Sequence, residues 1–183
     1  ERSDGKRHIF DVNTLCLMTW KEVMFDPNSS VLVSEILHQI TDERDGNTIS
    51  RGTLTTAIKS FVALGIDPQD LKKLNLNVYI QAFEVPFLAR TEDYYREYSE
   101  NFLATHSVSE YIIAVHQILF NEERTLSIYW DEHTRKPLSE TLNKVLIKDH
   151  IGKLEADFIT LLDSKDETQI SGLYNLMNRD FTL

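Results

Sequence analysis

The sequence predicts an all-α protein, and three observations carry that expectation. Only six Gly and four Pro interrupt 183 residues. Apolar residues recur three and four apart, and no run alternates apolar with polar residues over the length of a strand. The architecture expected is an elongated helical bundle forming a single helical unit over residues 1–183, with no Ser-, Gly- or Pro-rich linker to divide it.

From about Arg7 to Phe25, Ile9, Phe10, Val12, Leu15, Leu17, Met18 and Val23 recur at helical spacing around Trp20, and Asp26-Pro27-Asn28 is expected to stop that helix. A second helix starts at an Asn28 or Ser29 cap and turns Val31, Leu32, Ile36, Leu37 and Ile40 to the core. Asp42 to Asn47 is its polar exit, where Gly46 supplies a left-handed turn. Ser50 caps a third helix with Leu54, Ala57, Ile58, Phe61, Val62 and Leu64 inward, closed by Gly65.

Asp67 to Asn77 reads as the longest irregular connection. Val78 to Leu103 reads as one helix of roughly 26 residues, about 39 Å long. Pro86 should bend that helix without splitting it. Phe83, Phe87 and Tyr94 are expected on its inner face and Arg90 on a polar arc. Ser107 and Glu110 have the spacing of a capping box, opening a helix with Val108, Tyr111, Ile112, Val115, Ile118 and Leu119 inward. Pro137 suits the first turn of a helix carrying Leu138, Leu142, Val145 and Leu146. Two more follow, one with Ile151, Leu154, Phe158, Leu161 and Leu162, the last with Ile170, Leu173, Tyr174, Leu176 and Met177.

Composition removes several function classes. A formal charge of -10, from 19 basic against 29 acidic residues, argues against nucleic acid as a partner, because phosphate binding needs a clustered cationic face. No apolar run reaches the roughly 18 residues of a membrane span. The first ten residues lack the apolar core of a signal peptide. A single Cys16 excludes an internal disulfide. The chain opens on a charged lead without an initiator Met, as expected of a piece of a longer protein. Asn28-Ser29-Ser30 matches a glycosylation sequon, a short and common pattern expected to go unused in a cytosolic chain.

The most informative stretch runs from Tyr79 to Thr134. It holds Tyr79, Phe83, Glu84, Phe87, Leu88, Thr91, Tyr94 and Tyr95, then Ser99, Phe102, Leu103, Glu110 and Tyr111, then Leu119, Glu122, Arg124, Tyr129 and Thr134. Leu146, Ile147 and His150 follow as L-I-x2-H, and Leu173-Tyr174-Asn175-Leu176 with Arg179 as a final motif. Upstream stand Ile9-Phe10, Leu15, Trp20-Lys21, Phe25, Glu43-Arg44, Gly46, Ile49 and Leu64-Gly65. In order and spacing the whole chain resembles the N-terminal stalk of a cullin, the scaffold of multi-subunit RING ubiquitin ligases. The Asn175 position and the extended Asp67 to Asn77 connection are most similar to cullins that hold F-box proteins through a small adaptor. Tyr98-Ser99, where such cullins often read Glu-Ser, and Pro86 depart from the pattern.

The resemblance implies an elongated bundle of the cullin-repeat type, with about residues 6–165 as the second repeat and about 166–183 as the junction to the next. It implies a scaffold segment of a cullin-RING E3 ubiquitin ligase of the SCF type: a rigid, non-catalytic spacer between the substrate receptor and the catalytic RING end. The F-box adaptor would be held by a first repeat outside this chain and the RING protein by a C-terminal half also outside it. The fragment itself would be monomeric, cytoplasmic and nuclear. The alternative is a helical tether or adaptor module unrelated to ubiquitin ligases, to be separated by whether Glu84, Thr91, Glu110 and Arg124 form one inter-helix network.

No residue is expected to be catalytic, to bind a cofactor or to hold a metal. His106 and Glu110 lie four apart on one helical face, but two ligands do not make a zinc site, and His8, His38, His116, His133 and His150 show no paired-ligand spacing. Glu122-Glu123-Arg124 reads as a solvated or cross-paired charge run. Cys16, between Leu15 and Leu17 and beside Met18, is expected to be buried and inert. Tyr94, Tyr95, Tyr98 and Phe102 read as core packing, with Tyr98 the outlier. Neither a phosphate-cradling glycine loop nor a nucleophile elbow is present.

Overall fold

The computed structural model describes residues 12–66, 75–156 and 171–172. The parts of the expected elements at 7–11, 67–74, 157–170 and 173–183, including His8 and the Asn175 motif, lie outside the described residues. The regular elements described are all helical, in two compact units, Glu1–Pro86 and Phe87–Leu183.

The first unit contains α1 (Val12–Trp20), a π turn at Lys21–Phe25, α2 (Asp26–Arg44), α3 (Arg51–Ala63), α4 (Asn77–Tyr79) and a second π turn at Ile80–Glu84. The expected stop at Pro27 is absent, and the chain is helical from 12 to 44. A proline inside an α-helix lacks one donor and drives its ring into the carbonyl four residues back. Here the turn before it is widened, so that the Asp26 N–H donates to the Lys21 carbonyl five residues back. Asn28 and Ser29 do not cap a new helix. Asn28 Nδ2 donates to the Met24 carbonyl at 2.7 Å and Ser29 Oγ to the Asp26 carbonyl at 3.1 Å. Lys21 Nζ pairs with Asp26 Oδ1 across the same turn at 2.8 Å.

Pro86 is handled in the same way. The Val85 N–H donates to the Ile80 carbonyl, and helix continues through 77–105, so Pro86 does not split it, as the sequence predicts. The two π turns bring Phe25 and Phe83 against Phe61 of α3. The ring centroids lie 5.1 Å and 5.8 Å from Phe61, and Tyr79 extends the series at 5.5 Å from Phe83. Val33, Ile36, Ile40, Leu54, Ile58 and Leu64 complete this core.

Val31 points outward, and Val33 takes the inward place expected of it. In α1 no residue is buried: Val12, Leu15, Leu17 and Cys16 are exposed, which corrects the expectation of a buried thiol. Apolar periodicity located the helix but not a partner for its apolar face.

The two loop glycines of this unit serve different ends. Gly46 has φ +85°, and the bonds from Gly46 N to Glu43 O and from Asn47 N to Asp42 O form a Schellman close, as expected. Gly65 has no positive φ. A Cβ there would stand 1.7 Å from the Asn75 carbonyl oxygen, and Asn75 N donates to Gly65 O at 2.7 Å. Close backbone approach, not a left-handed close, requires this glycine.

The second unit holds α5 (Val85–Thr105, all but its first two residues), α6 (Val108–Tyr129), a short turn at Glu132–Thr134, α7 (Arg135–Leu146), a turn at Lys148–His150, and α8, described over 151–156. Ser107 and Glu110 form the expected capping box: Ser107 N donates to Glu110 Oε2 at 2.9 Å, and Glu110 N to Ser107 Oγ at 3.3 Å. Tyr111, Val115, Leu119, Leu126, Leu138, Leu142, Val145, Leu146 and Leu154 build the core.

On α5 the buried residues step by four: Phe87, Thr91, Tyr95, Ser99 and Leu103. Such a ridge is inclined to the helix axis, as expected where neighbouring helices cross at an angle. Tyr94, seven after Phe87, therefore sits off the line and is half-buried, contrary to the expected face.

Two comparisons test these packing assignments by equilibrium urea unfolding. Gly52 is helical with nothing within 4 Å of an added Cβ, so Gly52→Ala should stabilise by about 0.5–1 kcal/mol, whereas Gly65→Ala should destabilise. A midpoint raised by both would show that Asn75 does not approach Gly65. Phe87 is 1% exposed and packs on Trp130 with ring centroids 4.6 Å apart, while Arg90 is exposed. Phe87→Ala should cost about 3–5 kcal/mol and Arg90→Ala under about 0.5 kcal/mol. Equal losses would place the core on another face of α5.

Candidate functional site

Three of the five buried positions on α5 are polar, and a buried polar group must find a partner. The partners come from far along the chain. Tyr95 OH donates to Glu122 Oε1 of α6 at 2.6 Å. Ser99 Oγ donates to the Arg96 carbonyl at 2.9 Å and lies 2.7 Å from His150 Nε2, where it accepts from an Nε2–H tautomer. Tyr111 OH donates to the Leu146 carbonyl at 2.8 Å, and its ring stands edge-on to His150 with centroids 6.0 Å apart. Burial raises the Tyr111 phenol well above its ordinary value. Lys153 Nζ donates to the Leu103 carbonyl at 2.8 Å. On the outer edge Glu92 takes both Arg96 and Lys144, the latter at 2.6 Å, and these hydrogen bonds hold its carboxyl below the usual range.

These are the motif residues. The fragments containing Tyr95, Ser99, Tyr111, Glu122, Leu146 and His150 are separated in sequence and converge in two polar ties and one hydroxyl–carbonyl bond. Thr91 and Thr134 of the same motifs are fully buried as well.

Chemically, Ser99 and His150 have the separation of a nucleophile and its base. Ser99 is 0% exposed, however, so no substrate atom reaches its hydroxyl. The pair is a structural bond.

The other candidates are dispersed. Glu110 is committed to the Ser107 cap, whose backbone and side-chain bonds lower its carboxyl, while the His106 ring stacks on Phe102 at 4.1 Å. Among the described residues no group of three or more His, Cys, Asp or Glu could hold a metal ion. Of Glu122-Glu123-Arg124, Glu122 faces inward to Tyr95, Glu123 pairs with Arg135 at 3.5 Å, and Arg124 is exposed. Of the four residues expected in one network, Glu110 and Arg124 are fourteen residues apart on one helix, about 21 Å, and so do not touch each other. His116 Nε2 lies 3.1 Å from the Gly172 carbonyl, and His38 lies 3.8 Å from Asp42.

The aromatic stripe divides. Tyr95 is core, whereas Tyr94, Tyr98 and Phe102 are half-buried, with Tyr98 and Phe102 centroids 5.6 Å apart. Partial burial raises the Tyr98 phenol. Sequence reasoning gave no signal for Lys144 or Lys153, whose ordinary surface spacing conceals cross-helix bonds. It gave none for Asn143 either, which is 2% exposed and whose amide atoms have no hydrogen-bond partner among the described residues. No helix among the described residues is long and apolar enough to cross a membrane.

Helices tied to one another by buried polar bonds define the second unit as an all-α packed segment. The chain belongs to the cullin family: residues 2–183 match the cullin alpha solenoid domain. It is 64% identical over 183 residues to Cell division control protein 53 of Saccharomyces cerevisiae, covering 100% of this chain and 22% of that protein. It is 31% identical over 179 residues to Cullin-1 of Dictyostelium discoideum, 98% of this chain and 23% of that one. With Cullin-1 of Schizosaccharomyces pombe it shares 32% identity over 171 residues, 93% of this chain and 22% of that one. The chain thus spans under a quarter of the length of these curated relatives.

Tyr95→Phe removes the donor to Glu122 and should cost about 1–3 kcal/mol. The double variant Tyr95→Phe/Glu122→Leu should recover part of that loss. Additive losses in a double-mutant cycle would show that the two side chains are not coupled.

Burial holds the His150 imidazole below its ordinary value, with Lys153 adding to the effect and Asp149 and Glu100 opposing it. A depressed histidine binds fewer protons folded than unfolded. Its stabilising contribution is therefore complete above about pH 6.5 and declines as pH falls below that value. The urea midpoint of the parent should drop relative to His150→Gln between about pH 7 and pH 5. A difference independent of pH would place His150 in solvent.

Proposed function

We propose that this chain is a scaffold segment of a cullin-RING E3 ubiquitin ligase of the SCF type, a non-catalytic spacer between the substrate receptor and the catalytic RING end. The observation that supports this reading best is the use of the motif side chains. Tyr95, Ser99, Tyr111, Glu122 and His150 are engaged in bonds within the second unit, where they fix helix against helix. A spacer acts by geometry: it keeps a bound substrate within reach of the ubiquitin-charged enzyme and so raises the effective concentration of one at the other.

In this reading about residues 6–165 are the second cullin repeat and about 166–183 the junction to the next. The F-box adaptor is held by a preceding repeat and the RING protein by a C-terminal half, both outside this chain. The parent protein works in the cytoplasm and nucleus, and the segment by itself is a monomer that binds neither nucleic acid nor membrane.

The test uses the full-length parent protein assembled with its adaptor, receptor and RING subunit. Phe87→Ala, and separately the milder Tyr95→Phe, should slow ubiquitin transfer to receptor-bound substrate several-fold. Adaptor co-purification and substrate-independent chain synthesis should stay at the parent level. Equal loss of substrate-independent synthesis would overturn the spacer reading and assign the segment a part in catalysis. Unchanged transfer in both variants would show that the shape of this segment does not set the reach.

A further inference from the structure

We draw no further inference here: the strongest candidate, the exposed apolar face that Val12, Leu15, Trp20, Val23 and Met24 form along α1 and the π turn after it, is an unpartnered surface, and nothing in the structure shows what covers it.

Discussion

The second unit depends on one constraint: a helix that buries hydroxyls must find each of them a partner. Hydrophobic burial is non-directional and would accept several registers of α6 against α5. A bond such as Tyr95 OH to Glu122 Oε1 at 2.6 Å accepts one. Sliding α6 by a single turn, about 5.4 Å, would carry the carboxylate out of reach and leave buried polar atoms without that bond. The ties link residues 27, 51 and 35 positions apart, so they fix the relation of α5 to α6, of α5 to the turn before α8, and of α6 to the end of α7. Tyr95 and Ser99 thereby make a geometric specification out of what an all-apolar ridge would leave as a preference.

The first unit meets a backbone constraint instead. Pro27 and Pro86 each follow a π turn by two residues, and each turn shifts the hydrogen bond of the residue before the proline from four back to five. Helix continuity survives because the carbonyl that the ring would strike is displaced, while Asn28 and Ser29 bond to carbonyls around the first of these turns. The widened turns also hold Phe25 and Phe83, both of which pack on Phe61. Local backbone irregularity and core packing are therefore met by the same residues, the kind of agreement between levels that gives a sequence one fold.

What was legible in the sequence was whatever a short window determines. The Ser107–Glu110 box and the Gly46 close involve residues within five positions of one another, and both stand where their spacing puts them. Pro27 misled because the rule that proline ends a helix omits the option of a π turn, which no propensity signals. Gly65 reads in the sequence as the residue that closes α3, but its need arises from Asn75 ten residues on. Apolar neighbours in sequence point Cys16 inward and periodicity points Tyr94 inward, but neither signal says whether another helix covers that face or how it crosses. The motif residues were visible, yet their roles were not, since Ser99 and His150 meet only after α5, α6 and α7 have packed.

That distinction bears on function. A serine hydroxyl 2.7 Å from an imidazole is an arrangement that hydrolases place at the mouth of a cleft, and distance alone does not tell the two uses apart. Burial does. Ser99 is enclosed, its proton is directed to the Arg96 carbonyl of its own helix, and the His150 ring rests edge-on against Tyr111, whose own hydroxyl is bound to Leu146. The Ser99 and Tyr111 hydroxyls and His150 Nε2 thus each have a protein partner, and an enclosed, fully directed set of bonds of this kind fixes helix against helix and leaves no hydroxyl proton free for transfer.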